Sequence, residues 1–433
     1  MTRIKRLAKE GSWIVAGQIA AVAGALVLVR VLTEHLDPAQ YGQLALGLTI
    51  AGLVNQVAMG GVTSGIGRFY SISLEKGDLW GYLRASNRLM GYATLGASAI
   101  ALALMVGLFL TGQMQWLGLA AAVLVFSILS GYNSALGGIQ NAARQRAIVA
   151  LHGGMDAWLK IGLAVGVVLW VGSSSTAVVI GYALSGLLVT TSQLYFLRRL
   201  LQRHGGANLA TTNEDWARQI WLFSWPFSAW GIFTWAQQVS DRWALEYFSS
   251  TYDVGAYVVL SHLSIVPMTL GAGMLMNLIS PILYQRAGAA KDHARVKAVY
   301  AVTRNISILV MAATILVAIA SYAFHELIFH LLANERYHGY SYLMPWMVVA
   351  GGFQSCHHIL GVRISATLKV SSIVVPQIIS ALVFVSLNML GAFLGGIEGL
   401  VYALLAASFI YFLWMLILSE VFMHRAVYEA EYI

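Results

Sequence analysis

The chain has little of what a soluble protein is built from. Of its 433 residues only 10% are charged, against about 25% in an ordinary globular domain. It has one cysteine, Cys356. That excludes an intrachain disulfide and any cysteine-based metal site. It lacks a Gly-x-x-x-x-Gly-Lys-Ser/Thr phosphate loop, so it does not hydrolyse nucleotide itself. It lacks a large loop and a cluster of carboxylates, both of which a membrane glycosyltransferase or glycan polymerase would need. Its net charge of +8 is spread over many short loops, with no basic stripe interleaved with aromatics, so nucleic acid is not the partner.

What it has instead is apolar length. Apolar residues make up 59% of the chain. A helix needs about 20 of them to cross a bilayer. Twelve such stretches lie at approximately 12–32, 42–63, 89–110, 116–137, 148–171, 176–197, 219–243, 254–280, 299–323, 341–361, 372–393 and 397–420. Nothing is left for a soluble domain. The first stretch carries Arg30 and lacks a small-residue cleavage site, so it reads as a span and not as a signal peptide.

Lysine and arginine fall in every second gap. One set holds Arg3, Lys5, Arg6 and Lys9, then Arg68 to Arg88, Arg144 and Arg146, Arg198 to Arg218, Arg286 to Arg304, Arg363 and Lys369, and Arg425. The other set, 33–41, 111–115, 172–175, 246–253, 324–340 and 394–396, holds only Arg336. Basic loops stay in the cytoplasm. The alternation therefore predicts an inner-membrane protein with both termini cytoplasmic. Its loop cations contact anionic headgroups.

The stretch 201–218, with Arg203-His204-Gly205-Gly206 and Thr211-Thr212-Asn213, is poor helix material at the chain midpoint. It divides a six-span lobe at 1–200 from another at 219–433. The starts of the two halves read alike. Leu36-Asp37-Pro38-Ala39-Gln40-Tyr41-Gly42 follows Arg30, and Phe248-Ser249-Ser250-Thr251-Tyr252-Asp253-Val254-Gly255 follows Arg242. Six spans per half is an even number, so the halves are parallel. That is a plan of secondary transporters, with the substrate site near the midplane between halves.

Leu28-Val29-Arg30-Val31-Leu32-Thr33 through Leu36-Asp37-Pro38-Ala39-Gln40-Tyr41-Gly42-Gln43-Leu44-Ala45-Leu46 resembles the first hairpin of bacterial polysaccharide flippases, within the multidrug/oligosaccharidyl-lipid/polysaccharide exporter superfamily. Trp225-Pro226, Asp241-Arg242, Val254-Gly255-Ala256-Tyr257 and Asn334-Glu335-Arg336-Tyr337 are similar to later parts of that family. The resemblance implies an all-α integral membrane fold, twelve helices in two parallel six-helix lobes around a central cavity. It also implies a cargo: undecaprenyl-pyrophosphate-linked oligosaccharide, moved to the outer leaflet for O-antigen or exopolysaccharide synthesis, with contact to polysaccharide assembly proteins. A multidrug or cation antiporter of the same superfamily is the other reading. With no nucleotide site, transport is expected to be coupled to H+ or Na+. No covalent chemistry, cofactor or metal is expected.

Three intramembrane cations belong to no loop: Arg30, Lys160 and Arg242. A charge inside the bilayer is costly unless it is paired or faces water. Each is a candidate for the pyrophosphate. Arg30 also fits an anchor that snorkels to the outer interface, and Asp241-Arg242 fits an interface pair. His152, Asp156 and Lys160 recur every fourth residue, which stacks them on one helix face. Lys160 lies about 18 Å into its span at 1.5 Å per residue. Asp156 and His152 are candidates for proton uptake in a cavity. An internal ion pair is the structural alternative. Ser224, Ser228, Gly231, Trp235, Gln238 and Arg242 form a second stripe, with Pro226 able to kink its helix. A cavity wall with Trp235 and Gln238 as substrate contacts is expected there, with close helix packing as the alternative. His262, Thr269 and Asn277 share a face, as do Gln354 and His358. His357-His358 is a weak metal signal, because adjacent helical residues diverge. Gly162-x-x-x-Gly166 and Gly391-x-x-x-Gly395-x-x-x-Gly399 are expected at close helix contacts.

Overall fold

The computed structural model describes residues 3–203, 215–287, 293–366 and 374–431, and the side chains of 17, 19–202, 215–276, 279, 283, 297–361 and 375–421. The described residues are helical almost throughout, with no strand among them. The helices are α1 Arg3–His35, α2 Pro38–Glu75, α3 Leu79–Leu110, α4 Leu117–Ala142, α5 Arg146–Val171, α6 Ser175–Arg203, α7 Trp216–Phe248, α8 Thr251–Ala287, α9 His293–Leu332 and α10 Met344–Ala366. The last segment, Val374–Glu431, is broken at Gly395 and Gly396. It therefore counts as α11 (374–394) and α12 (397–431). A short 3-10 segment, Glu335–Leu343, precedes α10.

Among the described residues, eight helices are long and apolar enough to cross a membrane by length and composition alone, and one of these, Val375–Val421, contains the glycine break. With α1, α7 and α10 they give the twelve expected helices. The fold class read from the sequence holds: an all-helical membrane protein.

Local chemistry sets the helix ends. Asp37 Oδ1 accepts from the Gln40 amide at 2.8 Å, just before Pro38 opens α2. A carboxylate cap followed by proline at the first helical position is a strong start signal. Asp78 caps α3 by accepting from the Gly81 amide at 2.9 Å. Gly77, Gly112 and Gly172 take positive φ at helix ends, where a residue without Cβ is favoured. Inside α2, Val54–Met59 form a π turn.

The chain divides into two compact units. Unit 1 is Met1–Leu36 with Gln43–Trp235, and unit 2 is Asp37–Gly42 with Ala236–Ile433. In unit 1, α5 packs against both α1 and α6. A Cβ on Gly17 would lie 3.1 Å from the Ala150 Cβ, and one on Gly24 would lie 3.2 Å from the Ala157 Cβ. On another side of α5, a Cβ on Gly181 would lie 2.5 Å from the Ala164 Cα. In unit 2, α10 packs against α8, α9 and the α11–α12 segment.

Two glycine expectations need correction. A Cβ at Gly162 or Gly166 would meet nothing within 4 Å. The close approach on α5 is made at Ala164 instead. The run Gly391, Gly395, Gly399 does not line one helix, because the break falls inside it. Gly391 and Gly399 face each other across the break, while a Cβ at Gly395 meets open space. Part of the stretch 201–218 lies outside the described residues, as do the side chains of Asn277, Arg363 and Lys369.

Candidate functional site

Unit 1 holds a half-open cavity of about 250 Å³ between α4, α5 and α6. The packing of α1 and α6 on α5 turns one polar face of α5 toward it. That face carries His152, Asp156 and Lys160, and all three line the cavity. Lys160 Nζ donates to Asp156 Oδ2 at 2.6 Å. The ammonium also lies 5.4 Å from the Phe126 ring and 5.9 Å from the Tyr182 ring. Ring faces attract a cation more strongly once it is desolvated, up to about 2 kcal/mol. The pair is neither sealed nor free, with Lys160 23% and Asp156 32% exposed. Removing one partner of a buried pair costs about 3–5 kcal/mol, and partial exposure lowers that figure here.

His152 is buried. Its Nδ1 lies 3.2 Å from Gln140 Oε1 and its Nε2 lies 3.0 Å from Ser192 Oγ. A hydroxyl can serve as donor to one nitrogen while the amide oxygen accepts from the other, which suits the neutral ring. Thr190 donates to Asn133 Oδ1 at 2.6 Å, and Asn133 Nδ2 donates to the Gly186 carbonyl at 3.3 Å. The wall from α4 is not among the sequence expectations. Phe126, Ser130, Asn133, Gly137 and Gln140 line the cavity, at the three- and four-residue steps of a helix face. That spacing is visible in the sequence, but serine, asparagine and glycine in a membrane helix read equally as packing residues.

Arg30 is placed apart from this cavity. It pairs with Glu34 one turn along α1, at side-chain exposures of 39% and 40%. The α7 stripe divides. A Cβ on Gly61 of α2 would lie 2.7 Å from the Ser224 carbonyl oxygen and 3.1 Å from the Ser228 nitrogen. A Cβ on Gly231 would lie 2.8 Å from the Gln56 carbonyl oxygen. Trp235 Nε1 donates to the Thr49 carbonyl at 2.7 Å. Ser224, Ser228, Gly231 and Trp235 thus pack α7 on α2 in unit 1. Gln238 is exposed.

Arg242 lies in unit 2 with a polar surround. Asp241 Oδ1 accepts from the Arg242 amide at 2.8 Å, and Asp241 Oδ2 accepts from the Tyr257 hydroxyl at 2.7 Å. Tyr41, from the hairpin turn at the start of α2, lies 3.3 Å from His262 Nδ1. Its ring meets that of Tyr337 edge-on at 5.8 Å. The Arg242 charge reaches Tyr41, Tyr257 and His262. Its Nε is buried with no hydrogen-bond acceptor. In the same unit, the two glycines that the half-repeat equates meet. A Cβ on Gly42 would lie 3.1 Å from the Gly255 nitrogen, and one on Gly255 would lie 3.0 Å from the Gly42 nitrogen. The rings of His357 and His358 stack at 4.3 Å. No group of three metal-binding side chains occurs among the described residues.

No family model and no curated protein matches the chain in sequence. Solved structures do match its fold. The lipid II flippase MurJ, in an inward closed conformation, superposes with a TM-score of 0.67 at 12% identity, over 96% of this chain and 90% of that one. The chain has the fold of the MOP-superfamily transporters. The Vibrio cholerae MATE transporter VcmN, in its bent form, gives 0.61 at 15% identity over 99% of both chains. A MOP-superfamily transporter from Pyrococcus furiosus gives 0.62 at 13% identity, over 97% of this chain and 98% of that one. The MOP fold thus spans nearly the whole chain.

Proposed function

We propose that this MOP-fold protein is a flippase of the bacterial inner membrane with both termini cytoplasmic. Its cargo is undecaprenyl-pyrophosphate-linked oligosaccharide for O-antigen or exopolysaccharide synthesis. It works by alternating access between lobes at 1–200 and 219–433 and performs no covalent chemistry. The observation that carries this reading is Arg242. A buried guanidinium edge without an acceptor is costly to keep. An anionic oxygen would satisfy it, and Arg suits phosphate through its planar donors. A neighbour in fold that is a lipid II flippase supports the same cargo class.

The unit 1 cavity supplies the coupling site. Protonation of Asp156 would release Lys160 from its 2.6 Å contact. Lys160 would then be held only by the two ring faces and free to meet an anionic headgroup. His152, one turn away on the same face, stands next to receive the proton. Arg30, Gln238 and Trp235 remain candidate cargo contacts of lesser weight.

One observation favours the multidrug reading. A carboxylate flanked by the Phe126 and Tyr182 rings is also how an organic cation would be held, with Lys160 occupying that place. The experiment that separates the two uses cells lacking their own flippase. Expression of the protein should restore surface polysaccharide and leave ethidium extrusion unchanged. Ethidium extrusion without surface polysaccharide would replace the flippase reading with the antiporter one.

A further inference from the structure

Unit 2 holds a second polar cluster, on residues that neither the coupling site nor Arg242 uses. Gln377 Nε2 of α11 donates to Gln237 Oε1 of α7 at 2.7 Å. The Tyr411 hydroxyl of α12 donates to Gln377 Oε1 at 2.7 Å. The Tyr411 ring lies 4.5 Å from that of His357 on α10, which stacks on His358. Phe384 meets Tyr411 edge-on at 6.4 Å. One turn from His358, Gln354 donates to Ser408 Oγ at 3.1 Å. Four helices thus bring amides, imidazoles and ring faces to one place, and none of these side chains is a carboxylate, lysine or arginine.

The cluster is not sealed. Gln237, Gln354, His357 and Gln377 are partly exposed and His358 is exposed. His357 lies about 20 Å along α10, and Gln237 about 16 Å from the end of α7, at 1.5 Å per residue. Polar groups at such depth do not face hydrocarbon without a large cost. This face therefore fronts water or a polar ligand.

The chemistry of the cluster selects the ligand. A cation would call for a carboxylate and an anion for a lysine or arginine. Sugar hydroxyls both donate and accept, and sugar rings carry an apolar C–H face. Amides and imidazoles also donate and accept, and Gln377 uses only one of its two N–H groups in the chain described. Aromatic rings supply flat apolar faces. Resting on the oligosaccharide reading above, we infer that the cluster of Gln237, Gln377, His357, His358 and Tyr411 is a glycan subsite of unit 2, which binds uncharged sugar residues of the cargo.

The test uses the full chain in lipid nanodiscs. The probe is the free oligosaccharide released by mild acid from the lipid carrier of flippase-deficient cells, with ethidium as a second probe. The Gln237→Leu, His358→Ala double variant should bind the oligosaccharide about tenfold more weakly, the effect of losing one or two hydrogen bonds, while keeping a cooperative melting transition. Equal affinity of variant and wild type overturns the subsite and leaves the flippase reading intact. A wild type that binds ethidium and no oligosaccharide overturns both. Should the double variant fail to fold, His358→Ala alone carries the same criterion, because it leaves the Gln237–Gln377–Tyr411 chain in place.

Discussion

The two units handle polar groups in hydrocarbon by opposite means. Unit 1 places opposite charges on one helix, Asp156 and Lys160, and sets them in the wall of a small, half-open cavity. Unit 2 joins uncharged side chains from three helices through Gln237, Gln377 and Tyr411, and sets Arg242 among tyrosines and a histidine. A paired charge responds to a proton, because protonating the carboxylate removes the attraction. A chain of amides and hydroxyls can instead exchange partners with a ligand. On the proposed function, unit 1 would carry energy coupling and unit 2 the recognition of the sugars.

Substitutions at four positions break or sharpen that contrast, from the largest effect to the smallest. Asp156→Asn should abolish transport driven by an ion gradient while the protein reaches the membrane at its normal level. Transport at the wild-type rate would remove Asp156 from coupling, and collapse of expression would make its pair with Lys160 structural. Arg242→Ala should lower surface glycan about tenfold, as expected for losing a charge-assisted contact. Arg242→Lys should be intermediate, since lysine keeps the charge and loses the planar donors. Quantifying surface glycan at matched protein level decides it. Gly255→Ala should destabilise by about 1–3 kcal/mol through overpacking, because its Cβ would lie 2.7 Å from the Pro38 carbonyl carbon. Thermal unfolding in detergent would register this as a lower midpoint. Arg30→Ala should cost less than about 1 kcal/mol, the scale of an exposed pair, and should leave most surface glycan in place. Loss of glycan as severe as for Arg242→Ala would return Arg30 to the cargo path.

Much of this is legible in the sequence, for physical reasons that differ by residue. Hydrophobic length and the alternation of basic loops mark the spans, since the bilayer constrains both directly. His152, Asp156 and Lys160 are legible because charge at helical spacing inside an apolar run has few harmless explanations. Ser130, Asn133 and Gln140 are not, because small and amide side chains serve packing as readily as cavities. Trp235 reads as a substrate contact in the sequence, which gives no sign that its indole N–H donates to the Thr49 carbonyl. A periodic stripe marks a face without naming what the face meets. The passage of α7 from unit 1 to unit 2 after Trp235 leaves no local mark, since it depends on contacts with residues distant in the chain.

The π turn of α2 has a consequence for insertions and deletions. Such a turn absorbs one extra residue in a helix. An added or removed residue elsewhere in an α-helix rotates all that follows by about 100°. In α2 the residues on either side of Val54–Met59 have separate tasks. Tyr41 and Gly42 meet α8 before it, and Gly61 and Gly65 meet α7 after it. A one-residue deletion within 54–59 would restore regular α-helix and keep both faces aimed as they are. The same deletion at 44–50 would turn one face away from its partner. The π turn thus marks the place in this helix where the chain length can change by one residue without undoing the fold.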